Sequence, residues 1–273
     1  MDPKKKKVFL ILWVGLLILI LIAAFLVPSV TKHESIQEAM KDAVLHETNR
    51  IRFLGMEVNP SLASDWIIMA VLLVGALLIR IFAIPKFQTV PGKFQTLIET
   101  LVGFFTDLAK QNSPHKNRFL GGYLLFAGIY IFFGTCFELF GIQWLTTEGH
   151  SIALPAPLSD INAAIALGCL SYGVILFGGL ICNGLKGAGQ ALKDFSLPIS
   201  MSFRLFGALL SGLLVTELVY FTMSLSFVVP VLVGIMFTLL HAIIQAYVLT
   251  MLTSVFYGEV TERHIKKKEV AKS

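Results

Sequence analysis

Charged residues are scarce in this 273-residue chain: Asp, Glu, Lys and Arg make up 14%, against 56% hydrophobic residues. Soluble domains average about 25% charged residues, so the composition excludes an ordinary water-soluble domain. It also excludes disorder, because a chain this apolar does not stay solvated. The composition therefore predicts an integral membrane protein.

Cysteine is nearly absent, and the common catalytic motifs are missing. Cys136, Cys169 and Cys182 lie inside apolar runs without CxxC spacing, which predicts buried packing residues and excludes a disulfide framework or a metal site. No GxxxxGK, HExxH or GxSxG sequence occurs. We therefore expect no cofactor and no enzymatic activity in the chain itself: it neither hydrolyses nor synthesises a nucleotide.

Long apolar runs recur along the chain, and a bilayer core of about 30 Å needs roughly 20 helical residues. The first four runs are residues 8–30, 66–85, 119–142 and 161–185. Residues 205–258 contain no Lys or Arg and are too many for one upright span, so Pro230 near their middle predicts a helical hairpin. The predicted fold is all-α with six membrane-crossing helices.

The first run has a second interpretation, as a cleaved signal peptide. Its apolar stretch exceeds the roughly 7–15 residues that are usual in such a peptide, which favours a retained anchor. The basic start of the chain lacks the Arg- and Ser-rich character of an organelle transit peptide. A bacterial inner membrane is therefore the expected location.

Basic residues set the orientation. They cluster in residues 4–7, 80–118, 186–193 and 263–268, which fall on alternate connections. Since cytoplasmic loops are enriched in Lys and Arg, both termini are predicted to face the cytoplasm. The net charge of +5 suits this arrangement better than nucleic-acid binding. Residues 92–110 carry apolar side chains at helical spacing between charged ones, which predicts a helix at the cytoplasmic interface.

Arg204 stands alone among apolar neighbours and stays protonated at any accessible pH. An ionisable group inside a span costs at least about 2.5–3.5 kcal/mol, so it is a functional candidate. Small residues on the same helix face follow at steps of three and four: Ser200, Gly207, Ala208, Ser211 and Gly212. One interpretation is a snorkelling arginine with ordinary helix packing. The other is a fixed charge presented to a protein surface that passes close by.

A polar stripe runs along the last helix, where Thr238, His241 and Gln245 share one face. Its residues are typical of interhelical hydrogen bonds. Three in a row also suit a hydrated path or a contact for Arg204.

Three acids complete the polar residues of the spans. Glu217 lies 13 residues after Arg204, about 20 Å along a straight helix, so the two belong to separate aqueous environments. Asp160 and Asn162 stand where the fourth span begins, a position at which an acid also serves as a helix N-cap. Glu138, in the third span, has the same ambiguity.

Four blocks occur in order between residues 64 and 260: VPGKFQT at 90–96, PLSDIN at 157–162, RLFG at 204–207 and QAYVLTMLT at 245–253. Each is weak alone, but together they resemble subunit a of the F-type ATP synthase. The resemblance divides the chain into an anchor and extracytoplasmic segment (1–64), a core (65–260) and a basic cytoplasmic tail (261–273).

This resemblance implies a stator in which two long tilted helices, about 188–225 and 231–258, lie against a ring of c subunits. Arg204 would face the essential carboxylate of the ring, with Gln245 beside it. Two offset aqueous half-channels would carry H⁺ or Na⁺, and b-type stalk subunits and membrane lipids would be further partners. Residues assigned to the ion pathway are Gln245, Glu217, His241, Asp160, Thr238, Glu138 and Asn162. Residues assigned to packing against the ring are Gly207, Ala208, Ser211, Gly212 and Ser200.

The chain departs from the family pattern at three positions. Ala208 replaces the usual Asn, Leu213 replaces a frequent acid, and Thr238 replaces the usual Glu or His. Glu217 and His241 are candidates for the two missing roles. The alternative function is a small secondary transporter or channel with a substrate-binding arginine near mid-membrane. That class often has inverted repeats, and none is visible here.

Overall fold

The computed structural model of the chain describes Gly15 and residues 50–53, 55–114, 118–147, 151–221 and 229–262. Apart from Gly15, the predicted first span lies outside these residues, as does the tail 263–273. Residues 49–209 and 238–273 belong to one compact unit, and residues 210–237 belong to another.

Six α-helices occur in the described ranges, and four of the helical segments are long and apolar enough to cross a membrane. The helices are α1 Pro60–Leu78, α2 Lys93–Asn112, α3 Arg118–Cys136, α4 Ile161–Lys193, α5 Ser196–Phe221 and α6 Val229–Thr261. The candidate spans are Pro60–Lys86, Arg118–Phe140, Ile161–Lys193 and Gly234–Thr261. The chain is therefore a mostly helical, multi-pass membrane protein. The total of six spans stays a prediction.

Following the predicted orientation, we call the end where α1 and α4 begin the outer end, and the opposite end the inner end. Helix α1 begins earlier than the hydropathy run suggested, because Asn59 caps it and Pro60 occupies its first turn. It continues through a π-turn at Ile79–Ala83 and a 3-10 turn at Ile84–Lys86. The buried residues of α1 all lie in its outer half, and the rest presents apolar side chains outward, as a lipid-facing span does.

Two short hairpins occupy outer-end connections and were not predicted. Strand β1 (Ile51–Phe53) pairs with β2 (Met56–Val58), and β3 (Gln143–Leu145) pairs with β4 (Ser151–Ala153), both antiparallel. An isolated bridge between Ile51 and Thr146 joins them. Strands of three residues are too short to give a hydropathy period, so the sequence carried no usable signal for them.

The predicted cytoplasmic helix is α2. Its first half exposes Phe94 and Leu97, while its second half buries Phe105, Leu108 and Ala109. The helix is therefore confirmed, but it is amphipathic along its length as well as around its axis. Only its first half has the exposed apolar face expected of an interfacial helix.

Helix α4 is broken at Gly184, whose φ of 60° and ψ of −144° are essentially restricted to glycine. Beyond this point the chain folds back on itself, since the Tyr172 hydroxyl donates to the carbonyl of Ala191 at 3.1 Å. The backbones of Gly179 and Gly187 touch, and a Cβ on either would collide with the other. Residues 185–193 thus belong to this reversal, and α5 begins at Ser196 rather than near 188.

Helices α5 and α6 confirm the two helices of the predicted hairpin. Buried residues form two clusters. The outer core includes Ile51, Tyr130, Ile131, Leu158, Ala164, Met201, Leu205, Leu209, Ala246 and Leu249. The inner core includes Phe105, Leu108, Leu120, Leu124, Ile175, Tyr257 and Val260. These cores hold α1, α3, α4, α5 and α6 together at the outer end, and α2, α3, α4 and α6 at the inner end.

The prediction that the cysteines are buried is wrong. Cys169 is exposed, and Cys136 and Cys182 are half-buried; none forms a disulfide. The error has a physical cause: in a membrane, lipid supplies the apolar surroundings that the interior supplies in a soluble protein. An apolar run therefore does not imply burial within the protein.

The Gly184→Ala substitution is expected to lower the free energy of unfolding by about 1–3 kcal/mol, because alanine is strained at this backbone conformation. Unfolding of the purified protein in detergent, followed by circular dichroism, measures the loss. Gly189→Ala is the matched control, since a Cβ there meets nothing within 4 Å. Equal stability of the two variants would contradict the assignment.

Candidate functional site

Arg204 and the small residues predicted to share its helix face, which together we call the Arg204 stripe, form the open face of α5. Ser200, Arg204, Gly207 and Ser211 are exposed, and Ala208 and Gly212 are half-buried. The opposite face is buried through Met201, Ser202, Leu205 and Leu209. The sequence periodicity therefore placed these side chains together correctly. In the ranges that the structure covers, the Arg204 guanidinium has no hydrogen-bond or ion-pair partner.

Packing against α4 sets the direction in which Arg204 points. A Cβ on Gly168 would collide with Ser202 Oγ and would meet the Pro198 carbonyl oxygen at 2.9 Å, so the two helices approach closely here. The Ser202 hydroxyl donates to that same carbonyl at 2.6 Å. Arg204 lies two residues later, about 200° further around the helix, and therefore faces away from α4.

The stripe on α6 runs from the surface into the protein. Thr238 and His241 are half-buried, whereas Gln245 is only 6% exposed. Its side-chain oxygen Oε1 is buried and accepts no hydrogen bond. Buried polar atoms normally have a partner, so this amide requires a donor from water or another group. The next residue, Ala246, shares the outer core with Leu205, the residue after Arg204.

The inner half of α6 contrasts with Gln245, because its buried hydroxyls are satisfied. Thr250 and Thr253 donate to carbonyls one turn back at 2.7 and 2.8 Å. Ser254 donates to the Leu108 carbonyl at 3.1 Å and accepts from Asn112 Nδ2 at 3.1 Å. Asn183 Nδ2, on α4, donates to the carbonyl of Val260 at 2.8 Å and to that of Glu262, just after α6, at 2.9 Å. These bonds close the interface between α2 and the inner half of α6.

Asp160 is the N-cap of α4, as one of its two interpretations held. Its Oδ1 accepts from the backbone and side-chain nitrogens of Asn162 at 2.8 and 3.1 Å. Its Oδ2 accepts from Asn59 Nδ2 at 3.1 Å. The structure thus brings Asp160 and Asn162 together at the start of α4.

Sequence reasoning missed the other partners at this outer end. Asn59 Oδ1 accepts from the Ser61 backbone at 3.1 Å, so one side chain caps α1 and also holds the cap of α4. The Ser61 and Ser159 hydroxyls are 3.3 Å apart. The consecutive Asn59 and Pro60 were the available signal, since Asn is a preferred N-cap and Pro a preferred first helical residue.

A carboxylate inside α1 was also missed. Tyr130 on α3 donates its hydroxyl to Asp65 Oδ1 at 2.6 Å. Asp65 stands one residue before Trp66, where the predicted apolar run begins, and therefore fell outside that run. The available signal was the Asn59 N-cap, because a helix that begins after Asn59 includes Asp65.

Glu138 is not among the described hydrogen-bond partners of Asp160. Glu138 is half-buried in a 3-10 turn (Phe137–Phe140) at the outer end of α3, and its carboxylate has no hydrogen-bond partner within the described ranges. Glu217 belongs to α5, but its side chain is outside the description. Among the described residues, no three His, Cys, Asp or Glu side chains are grouped to hold a metal ion.

The comparison with protein families decides the identity. The model of the family described as ATP synthase A chain matches residues 64–258. The chain belongs to this family. Members are ion-translocating membrane subunits of the ATP synthase and are not themselves catalytic. The resemblance drawn from four short blocks is therefore confirmed, and the matched range of this ATP synthase A chain contains every candidate residue from Glu138 to Gln245.

The Asn59→Ala substitution is expected to destabilise the ATP synthase A chain by about 1 kcal/mol or more, because it removes the N-cap of α1. It also leaves Asp160 Oδ2 without its donor. Thermal unfolding in detergent measures the effect. Asn59→Ser is the control, since serine keeps the capping oxygen and should recover part of the loss. An alanine variant as stable as the wild type would contradict the capping role.

Proposed function

We propose that this chain is the stator that passes H⁺ or Na⁺ to and from the carboxylates of a c-ring, through two offset aqueous half-channels. Ion flow along this route drives rotation of the ring and thereby ATP synthesis. The observation that carries the proposal is the open face of α5, where a permanent cation stands among small residues and has no partner in the described chain.

The small residues suit a closely packed rotor. Helices in a membrane approach each other where side chains are small, because hydrophobic driving force is absent there. Gly207 is exposed, and a Cβ built on it meets nothing within 4 Å. Ser200, Ala208, Ser211 and Gly212 continue this surface along α5. Ring helices are therefore able to pass Arg204 at short distance.

The chemistry of Arg204 explains how the ion is released. A ring carboxylate faces lipid only when its proton or Na⁺ neutralises it, whereas a nearby positive charge favours its ionised form. Arginine suits this role better than lysine, because it does not lose its proton when desolvated. The same fixed charge blocks a direct cation leak between the half-channels. The membrane potential contributes about 2.3 kcal/mol per charge per 100 mV.

The polar residues give the half-channels their lining. Asp160, Asn162 and Glu138 lie at the outer ends of their helices, and Thr238, His241 and Glu217 lie in the outer halves of α6 and α5. We assign these to the ion pathway, with Gln245 beside Arg204. Its Oε1, which has no partner among the described residues, supports this assignment because it is available to accept a hydrogen bond from water or from the guanidinium. The ring, b-type stalk subunits and lipids are the proposed partners, in a bacterial inner membrane with both termini cytoplasmic.

The Arg204→Ala variant is expected to abolish ATP-driven ion pumping, because the ring carboxylate would no longer release its ion at the stator. Pumping is measured in inverted membrane vesicles by the quenching of a pH-sensitive dye, or by Na⁺ uptake. Nucleotide hydrolysis by the detached soluble sector should persist. Arg80→Ala is the control, since it removes an equal charge from the exposed end of a span. Normal pumping by Arg204→Ala would end the proposal.

The Gly207→Leu variant tests the packing surface separately from the charge. Leucine has room within this chain, so the variant should fold and assemble, yet it should block passage of the ring. We expect ATP synthesis to fall about tenfold or more, as misplacement of a reacting group by 1 Å costs about a hundredfold in enzymes. Gly75→Leu on α1 is the control, because its surroundings are equally open. If both variants retain wild-type rates, α5 does not face a closely packed partner.

A further inference from the structure

Polar side chains form a continuous track from the outer end of the ATP synthase A chain into the membrane. At its outer end, Asn59 bonds Asp160, and one step inward the hydroxyls of Ser61 and Ser159 meet. Asp65 lies four residues after Ser61 on the same face of α1, about 6 Å further along the axis. The track therefore leads from the two helix caps to the carboxylate of Asp65.

Asp65 differs from Asp160 in how its oxygens are used. Asp160 accepts three hydrogen bonds and has both oxygens engaged in capping. Asp65 accepts one bond, from the Tyr130 hydroxyl at 2.6 Å, which is in the range of a charge-assisted O–H···O⁻ bond. Its Oδ2 has no partner within the described ranges, and the residue is half-buried. This oxygen is free to bind a proton.

The groups around Asp65 come from two neighbouring elements. From α3 the titratable group is Tyr130, which is 7% exposed. The 3-10 turn Pro157–Ser159 contributes Ser159, which meets Ser61 about one turn before Asp65, with Asp160 directly after it. No basic side chain in the described ranges forms an ion pair with Asp65. Asp65 is the sixth residue of α1, which belongs to a candidate span, and an ionisable group in a span without a cation to neutralise it is a functional candidate.

Tyr130 connects this carboxylate to the centre of the protein. It belongs to the outer core together with Leu205 and Ala246, the residues that follow Arg204 and Gln245 in the sequence. A tyrosine hydroxyl both donates and accepts, so it is able to hand a proton on. Tyr130 therefore links Asp65 to the buried cluster that also contains the residues after Arg204 and Gln245.

We propose that Asp65, held by Tyr130, is a proton-binding residue of the extracytoplasmic half-channel. A hydronium ion at the outer end gives its proton to Asp65 Oδ2, which leaves water and a neutral carboxylic acid. The acid then gives the proton to the next water or hydroxyl inward and returns to the carboxylate. This proposal rests on the proposed stator function and assigns a role to a residue outside the known polar stripe of α5 and α6.

The test uses the whole ATP synthase in inverted membrane vesicles, whose lumen is the extracytoplasmic side. ATP synthesis is started by a K⁺ diffusion potential, and its initial rate is measured against luminal pH at fixed external pH. For Asp65→Asn we expect a rate about a hundredfold lower, the lower end of the range for loss of a proton-transfer group, and an altered dependence on luminal pH. The dependence on external pH should be unchanged, which separates proton binding on one side from general damage.

Three further variants test whether the effect is specific to the Asp65 carboxylate and its bond to Tyr130. Tyr130→Phe keeps the ring that packs in the outer core and removes only the hydroxyl, so a smaller change in the luminal-pH profile is expected. Asp65→Glu should restore part of the rate. Glu57→Gln is the matched control, because it removes an exposed acid on β2 at the same end and should leave both profiles as in the wild type.

Wild-type luminal-pH profiles in both Asp65→Asn and Tyr130→Phe would overturn the inference. If Asp65→Asn fails to assemble, Tyr130→Phe decides alone by the same criterion. Arg204→Ala in the same vesicles separates the two claims. ATP synthesis by that variant would refute the stator function, whereas its inactivity beside an unaltered Asp65→Asn would refute only the role of Asp65.

Discussion

The structure depends on one constraint: a guanidinium that cannot lose its proton is held on a membrane helix without a counter-charge from the described chain. Close packing between Gly168 of α4 and Ser202 of α5 turns Arg204 away from the protein interior. The buried face of α5 joins the outer core, and the small residues leave the other face open. Helix packing within this subunit therefore determines what a neighbouring subunit meets in the membrane.

Helix α6 divides into two halves that differ in polarity and in hydrogen bonding. Thr250, Thr253 and Ser254 bury hydroxyls in its inner half, and each of these donates to a carbonyl. Gln245, nearer the outer half, leaves Oε1 buried and unpaired. Since an unpaired buried acceptor is costly, while a satisfied one is not, water is favoured at Gln245 and excluded from the inner interface. This difference fits the proposal that a hydrated path reaches Gln245.

Hydropathy and residue spacing predicted those features of the fold that depend on neighbours in the sequence. Hydropathy and spacing found four spans, the amphipathic helix α2, the division into α5 and α6, and the face of α5 that carries Arg204. The failures involve contacts between residues distant in the sequence. Asp65 and Tyr130 are 65 residues apart, and their bond has no signature in either segment. The reversal at Gly184 was missed because glycine is common in apolar helices, and the residue type alone does not predict its dihedral angles.

The two hydrogen bonds that Asn183 donates near the end of α6 have a mechanical consequence. Any ring that turns against α5 and α6 exerts an equal and opposite torque on them. Asn183, the residue just before the break in α4, donates to carbonyls at the C-terminal end of α6. The hydroxyls of Ser113 and Thr261 join the end of α2 to the same end of α6. Hydrogen bonds at a helix end resist sliding along the axis as well as rotation. In the proposed stator, a load on α6 would thereby be shared among three helices.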